Sequence, residues 1–256
     1  MITSTANAQV KNIISLLKKS GERKNRGLFV IEGIRMFCET PKEYIESVYA
    51  SEAFARANKN LLKDYEYETV SDKVFEYMSD TKSPQGIMAV VKQPQYTLTD
   101  IISVPNPLIV MLETIQDPGN LGTILRTALG AGASGIIMSR DTVDIYNPKT
   151  VRSTMGALYK IPFVYVEDIG KITDILNEKN ICTCAAYLDG SLPYHTIDYQ
   201  KPAAIIIGNE GNGLTESTAA KAAKRIRIPM QNGLESLNAA VAAAVILYEA
   251  ARQRQS

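Results

Sequence analysis

One histidine, His195, stands in 256 residues, and no G-x-S-x-G segment accompanies it. A serine hydrolase of the triad type needs an activating imidazole and a nucleophile elbow, so that class is disfavoured and His195 reads as a surface-loop residue. Cysteine is scarce as well. Cys38, Cys182 and Cys184 form no disulfide framework and no repeated CxxC pair, which fits a reducing compartment, and no metal centre is expected. Cys182 and Cys184 lie two apart in the strand-like run ICTCAAY, so both point to one face as buried thiols. No uninterrupted apolar run approaches the roughly 18 residues of a membrane span, and no apolar secretory core opens the chain. No membrane partner is therefore expected, and the expected location is cytoplasmic. Neither sign of charge dominates, because 28 Lys and Arg face 27 Asp and Glu for a net charge of +1. Nucleic-acid binding would have to come from local patches. A Walker-type G-x-x-x-x-G-K-S/T is also missing, which disfavours a P-loop nucleotide-binding protein.

What is present is an ordinary globular composition, 45% hydrophobic and 21% charged, with ample core material for one large α/β domain or two modest ones. Residues 1–27 carry Lys11, Lys18, Lys19, Arg23, Lys24 and Arg26 against the single acid Glu22, on a helix marked by Val10, Ile13, Ile14, Leu16 and Leu17. The run reads either as a solvated helix face or as a phosphate-binding arm. LFVIEGIRMFCET then predicts a strand turning into a helix at Glu32-Gly33. Further alternation ends in the strand GIMAVVK, which is preceded by the loop Thr81–Gly86. This outlines a small α/β unit over residues 1–96. The stretch 97–107, bounded by Pro94, Pro105 and Pro107, reads as a linker.

Residues 108–256 alternate again: strands at LIVMLE (108–113), SGIIMS, KIPFVYV, ICTCAAYLDG, 203–207 and 226–229, with helices between them. Alternation of this kind implies a mostly parallel sheet covered on both faces. Gly130-Ala-Gly132-Ala-Ser-Gly135 matches G-x-G-x-x-G but ends a helix and precedes a strand, the reverse of the dinucleotide fingerprint. These glycines read as a helix C-cap and tight turn. Three other loops matter more. Each leaves a strand end rich in Gly, Asn and a carboxylate or Ser: Glu113–Gly122, Gly208–Gly213, and the turn running to Ser236-Leu237-Asn238. Ligands of open α/β sheets sit where such loops form a crevice, and glycines there let backbone groups reach a ligand. In the first loop Asn120 suits a helix cap, and Arg126 follows under two turns later.

Three segments carry a resemblance: N-L-G-T-I-L-R-T-A (120–128), I-I-I-G-N-E-G-x-G-L (205–214) and I-P-M-x-x-G-L-E-S-L-N-A-A-V-A (228–242). Together and in this order they resemble the motifs of the SpoU (TrmH) family, the ribose 2′-O-methyltransferases of the SPOUT superfamily. The first half, with FVIEG and S-P-Q-G-I, is similar to the small ribosomal-protein-like substrate-binding domain found ahead of that catalytic domain. One departure is the turn Gln231-Asn232-Gly233, where the family often places Gly one residue earlier. Asn tolerates left-handed geometry, so a local shift that keeps the site is expected.

The resemblance implies an α/β methyltransferase domain over 108–256 with a C-terminal trefoil knot, a homodimer, and S-adenosyl-L-methionine as cofactor. It implies that Arg126 serves the catalytic step and that Asn120 orients the RNA or that arginine. Glu210 and Ser236 would hold the loops and the target ribose, and Asn238 would organise the knot. For these four a purely structural role stays open. Backbone groups at Leu188, Gly208, Ile228, Met230 and Leu237 would cradle the cofactor. Lys149 and Arg152, one helical turn apart, would join Lys11, Lys18, Arg23, Lys24 and Arg26 in facing RNA phosphates. The implied substrate is structured RNA, ribosomal RNA of the 23S type first and transfer RNA second. A non-catalytic RNA-binding relative is the alternative of a different class.

Overall fold

The computed structural model describes residues 1–255. In chain order its main elements are α1 (Ala8–Lys18), α2 (Ser20–Arg26), β1 (Leu28–Glu32), α3 (Ile34–Glu39), β2 (Ile45–Ser51), α4 (Glu52–Ala57), α5 (Lys59–Leu62), β3 (Tyr67–Val70), α6 (Asp72–Met78) and β4 (Ile87–Lys92). There follow α7 (Leu98–Ile102), β5 (Leu108–Leu112), α8 (Pro118–Gly130), β6 (Gly135–Ser139), α9 (Pro148–Thr154), β7 (Phe163–Val166), α10 (Ile169–Glu178) and β8 (Cys182–Ala186). The chain ends with β9 (Leu192–Pro193), β10 (Ala203–Ile207), α11 (Glu216–Lys221), β11 (Lys224–Arg227) and α12 (Ala239–Arg254). These elements group into two compact units, Met1–Gln95 with Asp144–Tyr159, and Tyr96–Val143 with Lys160–Ser256.

The first unit is built on a four-stranded sheet in the order β1-β4-β2-β3, in which β4 runs antiparallel to both neighbours. One apolar stripe of α1 (Val10, Ile13, Leu16, Leu17) and one of α6 (Val74, Phe75, Met78) close over Leu28, Val30, Met88 and Val90. At the corner after β1, Glu32 is buried. Its carboxylate accepts from Thr81 Oγ1 (2.7 Å), Ser79 Oγ and the Asp80 amide. Gly33 turns the chain there at φ 97°, a value open to glycine at little cost.

The segment 144–159 packs with the first unit: the Tyr146 and Tyr159 rings lie 4.7 and 6.4 Å from that of Phe29 on β1. One expectation needs correction in this unit. Arg23, read as a phosphate ligand, is only 4% exposed. Its guanidinium donates to the Leu16 and Leu17 carbonyls and pairs with Asp144 at 2.6 Å. A cation buried inside the unit and engaged by two carbonyls and a carboxylate is not presented to RNA. It is the internal tie for which the basic run of residues 1–27 gave no warning.

The second unit holds a seven-stranded sheet in the order β7-β6-β5-β10-β8-β11-β9, and every pairing is parallel. β5, β6 and β10 are buried at every residue, which is why they read as unbroken apolar runs. One face of the sheet packs Ile109, Met111, Ile137, Ala204 and Ile206 against α10 and α11. The other face takes α8 and α12. The stretch 97–107, read as a linker, carries α7 instead. A reciprocal Thr97–Asp100 capping box starts that helix, and Ile101 is fully buried in the core of the unit. The glycines of 130–135 behave as read, with α8 ending at Gly130, Gly132 at φ 76° and β6 starting at Gly135. Arg254, at the end of α12, donates to the carbonyls of Tyr199, Asn106, Pro107 and Lys201, and so closes the C-terminus onto the sheet.

Removing the Arg23 guanidinium strands the Asp144 carboxylate and two carbonyls. Arg23→Ala should therefore lower the unfolding free energy by about 2–4 kcal/mol, whereas the exposed Lys24→Ala should change it by less than about 0.5 kcal/mol. Urea titration of both variants checks this, and equal losses would refute the internal role.

Candidate active site

All strands of the second sheet point the same way, so the loops after β5, β8, β10 and β11 crowd one end. From β5 the chain runs outward through β6 to β7 and then continues on the other side of β5 with β8, β10 and β11. The topological switch therefore falls between β5 and β10, where α/β folds open a crevice. Here that crevice is bridged. Glu210, in the loop after β10, reaches the loop after β5 and accepts from the amides of Gln116 (3.1 Å) and Asp117 (3.0 Å) and from Asn120 Nδ2 (3.0 Å). Asn120 Oδ1 in turn accepts from Asn238 Nδ2 at 3.0 Å. Asn238 also caps α12, accepting from the Ala240 and Val241 amides. One continuous chain of hydrogen bonds thus joins residues 120, 210 and 238.

Asn120 does not cap α8. Asp117 does, accepting from the Asn120 amide at 2.8 Å with Pro118 at the first helical position. The Asp-Pro pair is itself a helix-start signal that sequence reading passed over. Freed from capping, the Asn120 amide serves Glu210 and Asn238, and no hydrogen bond links it to Arg126. Arg126 is exposed on α8 and, among the described residues, makes no hydrogen bond or ion pair.

Burial alone would push the Glu210 carboxyl up in pKa. The donors from Asn120, Asp117 and Gln116 outweigh it and hold the group below the usual carboxylate range. A second carboxylate, Glu113 at the end of β5, accepts from the Thr215 amide (2.8 Å), Thr215 Oγ1 (3.0 Å) and Thr218 Oγ1, which fixes the start of α11. Asn209 closes the loop between them. Its backbone pairs with Gly213 at 3.0 Å in both directions, and its side chain accepts from the Gly211 and Asn212 amides and donates to the Thr114 carbonyl. Because this loop doubles back, a Cβ on Gly208 would lie 2.2–2.4 Å from backbone atoms of Gly213 and Leu214.

Beside this network a cavity of about 420 Å³ opens over the ends of β8, β10 and β11. Leu188, Gly208, Ile228, Met230 and Leu237 all line it, as do Glu210 and Ser236; Asn120, Arg126 and Asn238 do not. Its lining mixes polar loop residues with an apolar floor of Ile207, Leu214, Ile226 and Ile246. Asn232 and Gly233 turn the loop after β11 at φ 56° and 73°, so the shifted glycine leaves the turn intact. Sequence reading missed Asp189, Arg227 and Glu235, which also line the cavity. Glu235 falls inside the third motif without having been singled out, and no motif marks Asp189 or Arg227. Arg227 donates to the Ser191 carbonyl and hydroxyl and so ties the loop after β8 to β11. His195 is exposed, and the sulfurs of Cys182 and Cys184 lie 3.9 Å apart on one face of β8. Among the described residues no group of three His, Cys, Asp or Glu is arranged to hold a metal ion.

The basic residues of the first unit divide. Lys11, Lys18, Lys24, Arg26 and Lys149 are exposed, with Arg26 bonded to Asn12. Arg152, expected to face phosphates, is half-buried and paired with Asp80 at 3.0 Å, so its charge is already offset.

Residues 107–248 match the model of the SpoU rRNA methylase family, and residues 7–89 match that of the MRM3-like substrate-binding domain. The chain belongs to the SpoU rRNA methylase family. It is 31% identical to the 23S rRNA (guanosine(2553)-2′-O)-methyltransferase RlmP of Bacillus subtilis, over 96% of this chain and 97% of that protein. It is 30% identical to the 23S rRNA (uridine(2479)-2′-O)-methyltransferase of Streptomyces viridochromogenes, over 99% and 92%. Among solved structures, the SpoU methyltransferase AviRb of Streptomyces viridochromogenes in complex with AdoMet superposes with a TM-score of 0.87 at 29% identity, covering 98% of this chain and 99% of that one. The SpoU fold and its mixed α/β architecture are thereby shown, with a separate N-terminal substrate-binding domain.

Two tests follow from this geometry. Gly208→Ala must displace backbone rather than a flexible side chain, so it should weaken S-adenosyl-L-methionine binding at least about tenfold; calorimetric titration reads this, and unchanged affinity would mean that this cavity is not the cofactor site. The ionised Glu210 stabilises the fold above its ordinary pKa near 4.5, and this contribution is lost as pH falls through the lowered folded value. Glu210→Gln should therefore flatten the decline of the thermal midpoint between about pH 5 and pH 2. A decline as steep as that of the parent protein would exclude the ionised bridge.

Proposed function

We propose that this protein transfers a methyl group from S-adenosyl-L-methionine to a ribose 2′-OH of ribosomal RNA, 23S rRNA being the substrate class. One observation carries the reading beyond family membership: segments 120–126, 205–214 and 228–242 converge on one cavity edge through the Asn120–Glu210–Asn238 chain. The cavity fits the cofactor. Its volume lies within the range of small-molecule sites, its floor is apolar enough for a purine, and Gly208 lines it where the loop doubles back too closely for any side chain. Leu188, Gly208, Ile228, Met230 and Leu237 would hold it mainly through backbone atoms. When bound it supplies an electrophilic sulfonium methyl.

The chain's own work is alignment and proton management. A guanidinium is a donor with no acceptor site, so Arg126 is given no general-base role. Its unpaired, exposed guanidinium suits a clamp on an RNA phosphate that also stabilises the developing alkoxide. Ser236, exposed on the cavity wall, would contact the target ribose. Glu210, Asn120 and Asn238 act as positioning residues, since their polar atoms are taken up by one another and by loop amides. Lys11, Lys18, Lys24, Arg26 and Lys149 form the RNA-gripping set, without Arg23. Residues 1–95 with 144–159 serve as the substrate-binding unit, and the remainder performs the transfer.

The C-terminal loops form a trefoil knot in this reading. A homodimer is also part of it: α12 leaves Val241 and Tyr248 about half exposed, apolar surface that a second copy would cover. The location follows from a ribosomal RNA substrate and is the cytoplasm; no helix among the described residues is long and apolar enough to cross a membrane.

Mapping 2′-O-methylation in total RNA from cells with and without the gene should show one ribosomal RNA site lost. A lost transfer RNA site instead would overturn the substrate class, and no lost site would favour a non-catalytic RNA-binding relative. Arg126→Ala should reduce single-turnover methylation at least about a hundredfold with cofactor affinity within about twofold. A large loss of cofactor binding would remove Arg126 from the transfer step.

A further inference from the structure

The charged side chains lining the cavity are Asp189, Glu210, Glu235 and Arg227. Three carboxylates against one guanidinium leave two negative charges in excess around a largely apolar floor. Glu210 is committed to the loop after β5, and Arg227 to Ser191. Asp189 and Glu235 are different. Both are exposed at the cavity wall and, among the described residues, neither makes a hydrogen bond or ion pair. No other cationic side chain lines the cavity among the described residues. Glu235 also lines the adjoining shallow depression with Leu188, Met230 and Leu234, so its charge sits where the two recesses meet.

We infer that Asp189 and Glu235 make the site charge-selective, favouring the cationic sulfonium cofactor over its neutral thioether product and so promoting product release. This rests on the reading of the cavity as the cofactor site. The two ligands share their adenosine and amino-acid parts and differ by one methyl group and one positive charge. The apolar floor and the loop backbone meet the shared parts equally in both. Only a field separates them, and here the charges lining the cavity sum to a negative value. Methyl transfer moves a methyl group from sulfur to the ribose oxygen, the sulfur keeps the bonding electron pair, and the hydroxyl proton is released. The thioether left behind carries no charge at sulfur, so the attraction to Asp189 and Glu235 at that atom is gone. Both carboxylates are solvated, so each contributes a small, salt-screened factor, about two- to fivefold. Glu210 cannot be the discriminating group on its own, because its oxygens are occupied by loop amides and by Asn120, which fix it in the wall whatever ligand is present.

Calorimetric titration of the full-length protein with S-adenosyl-L-methionine and with S-adenosyl-homocysteine tests this. The parent protein should prefer the former at low salt, and the preference should shrink as salt rises from about 50 to 500 mM. Asp189→Asn with Glu235→Gln keeps shape and removes both charges. It should weaken the cationic ligand about tenfold while the neutral one stays within about twofold. Sinefungin, which bears an ammonium group in place of the sulfonium methyl, should follow the cationic ligand. Equal weakening of both ligands, or a preference indifferent to salt and to the double variant, would overturn the inference. Gly208→Ala separates the two levels of failure. If it abolishes binding while the preference does not move in the double variant, only charge selection is wrong. If it leaves binding untouched, the cavity is not the cofactor site. The salt titration needs no variant, so misfolding of the double variant would not shelter the idea.

Discussion

The carboxylate of Glu210 is the group on which the rest of the site depends. A parallel sheet that reverses its strand order leaves two loops diverging at the switch point, and nothing in the sheet itself holds them together. Glu210 spans the gap by accepting from two backbone amides of one loop while its own loop is folded by Asn209. Asn120 extends the bridge to Asn238 and hence to the cap of α12. An amide side chain suits the middle position because it donates through nitrogen and accepts through oxygen at once. An aspartate there could not donate to Glu210, and a leucine could do neither.

With the switch-point crevice bridged, the open space lies one strand further along, over β10, β8 and β11. The tight turn at Gly208 makes room for it, since a side chain there would collide with the returning backbone at Gly213 and Leu214. The walls of the cavity come from loops that are themselves tied down, by Arg227 to Ser191 and by Glu113 to Thr215 and Thr218. Relatives at about equal identity bear names with a guanosine and a uridine target. Overall similarity therefore leaves the choice of nucleotide open within the family.

The first unit shows how far a charge pattern can mislead. Six basic residues on and between two short helices look equivalent in the sequence, yet Arg23 turns inward to meet Asp144 while Lys11, Lys18 and Lys24 stay in water. Helical phase alone could not separate them, because the carboxylate that claims Arg23 lies 121 residues away. Arg152 and Asp80 repeat the lesson. The proline-bordered stretch 97–107 misled in the opposite direction: its capping box and Ile101 form a helix that belongs to the core.

What the sequence by itself determined is everything local or periodic: the strands at 108–112 and 203–207, the helix turns around Gly132, the strand-end glycines, and the three ordered motifs that mark the family. Those signals survive because they arise from neighbours a few residues apart. Tertiary structure alone decided which donors Glu210 takes, that Arg23 is internal, and that Asp189, Arg227 and Glu235 share one cavity. Each of these is a pairing across tens of residues or more, set by strand order and loop closure. A hydrogen bond or a shared field has no period along the chain from which it could be read.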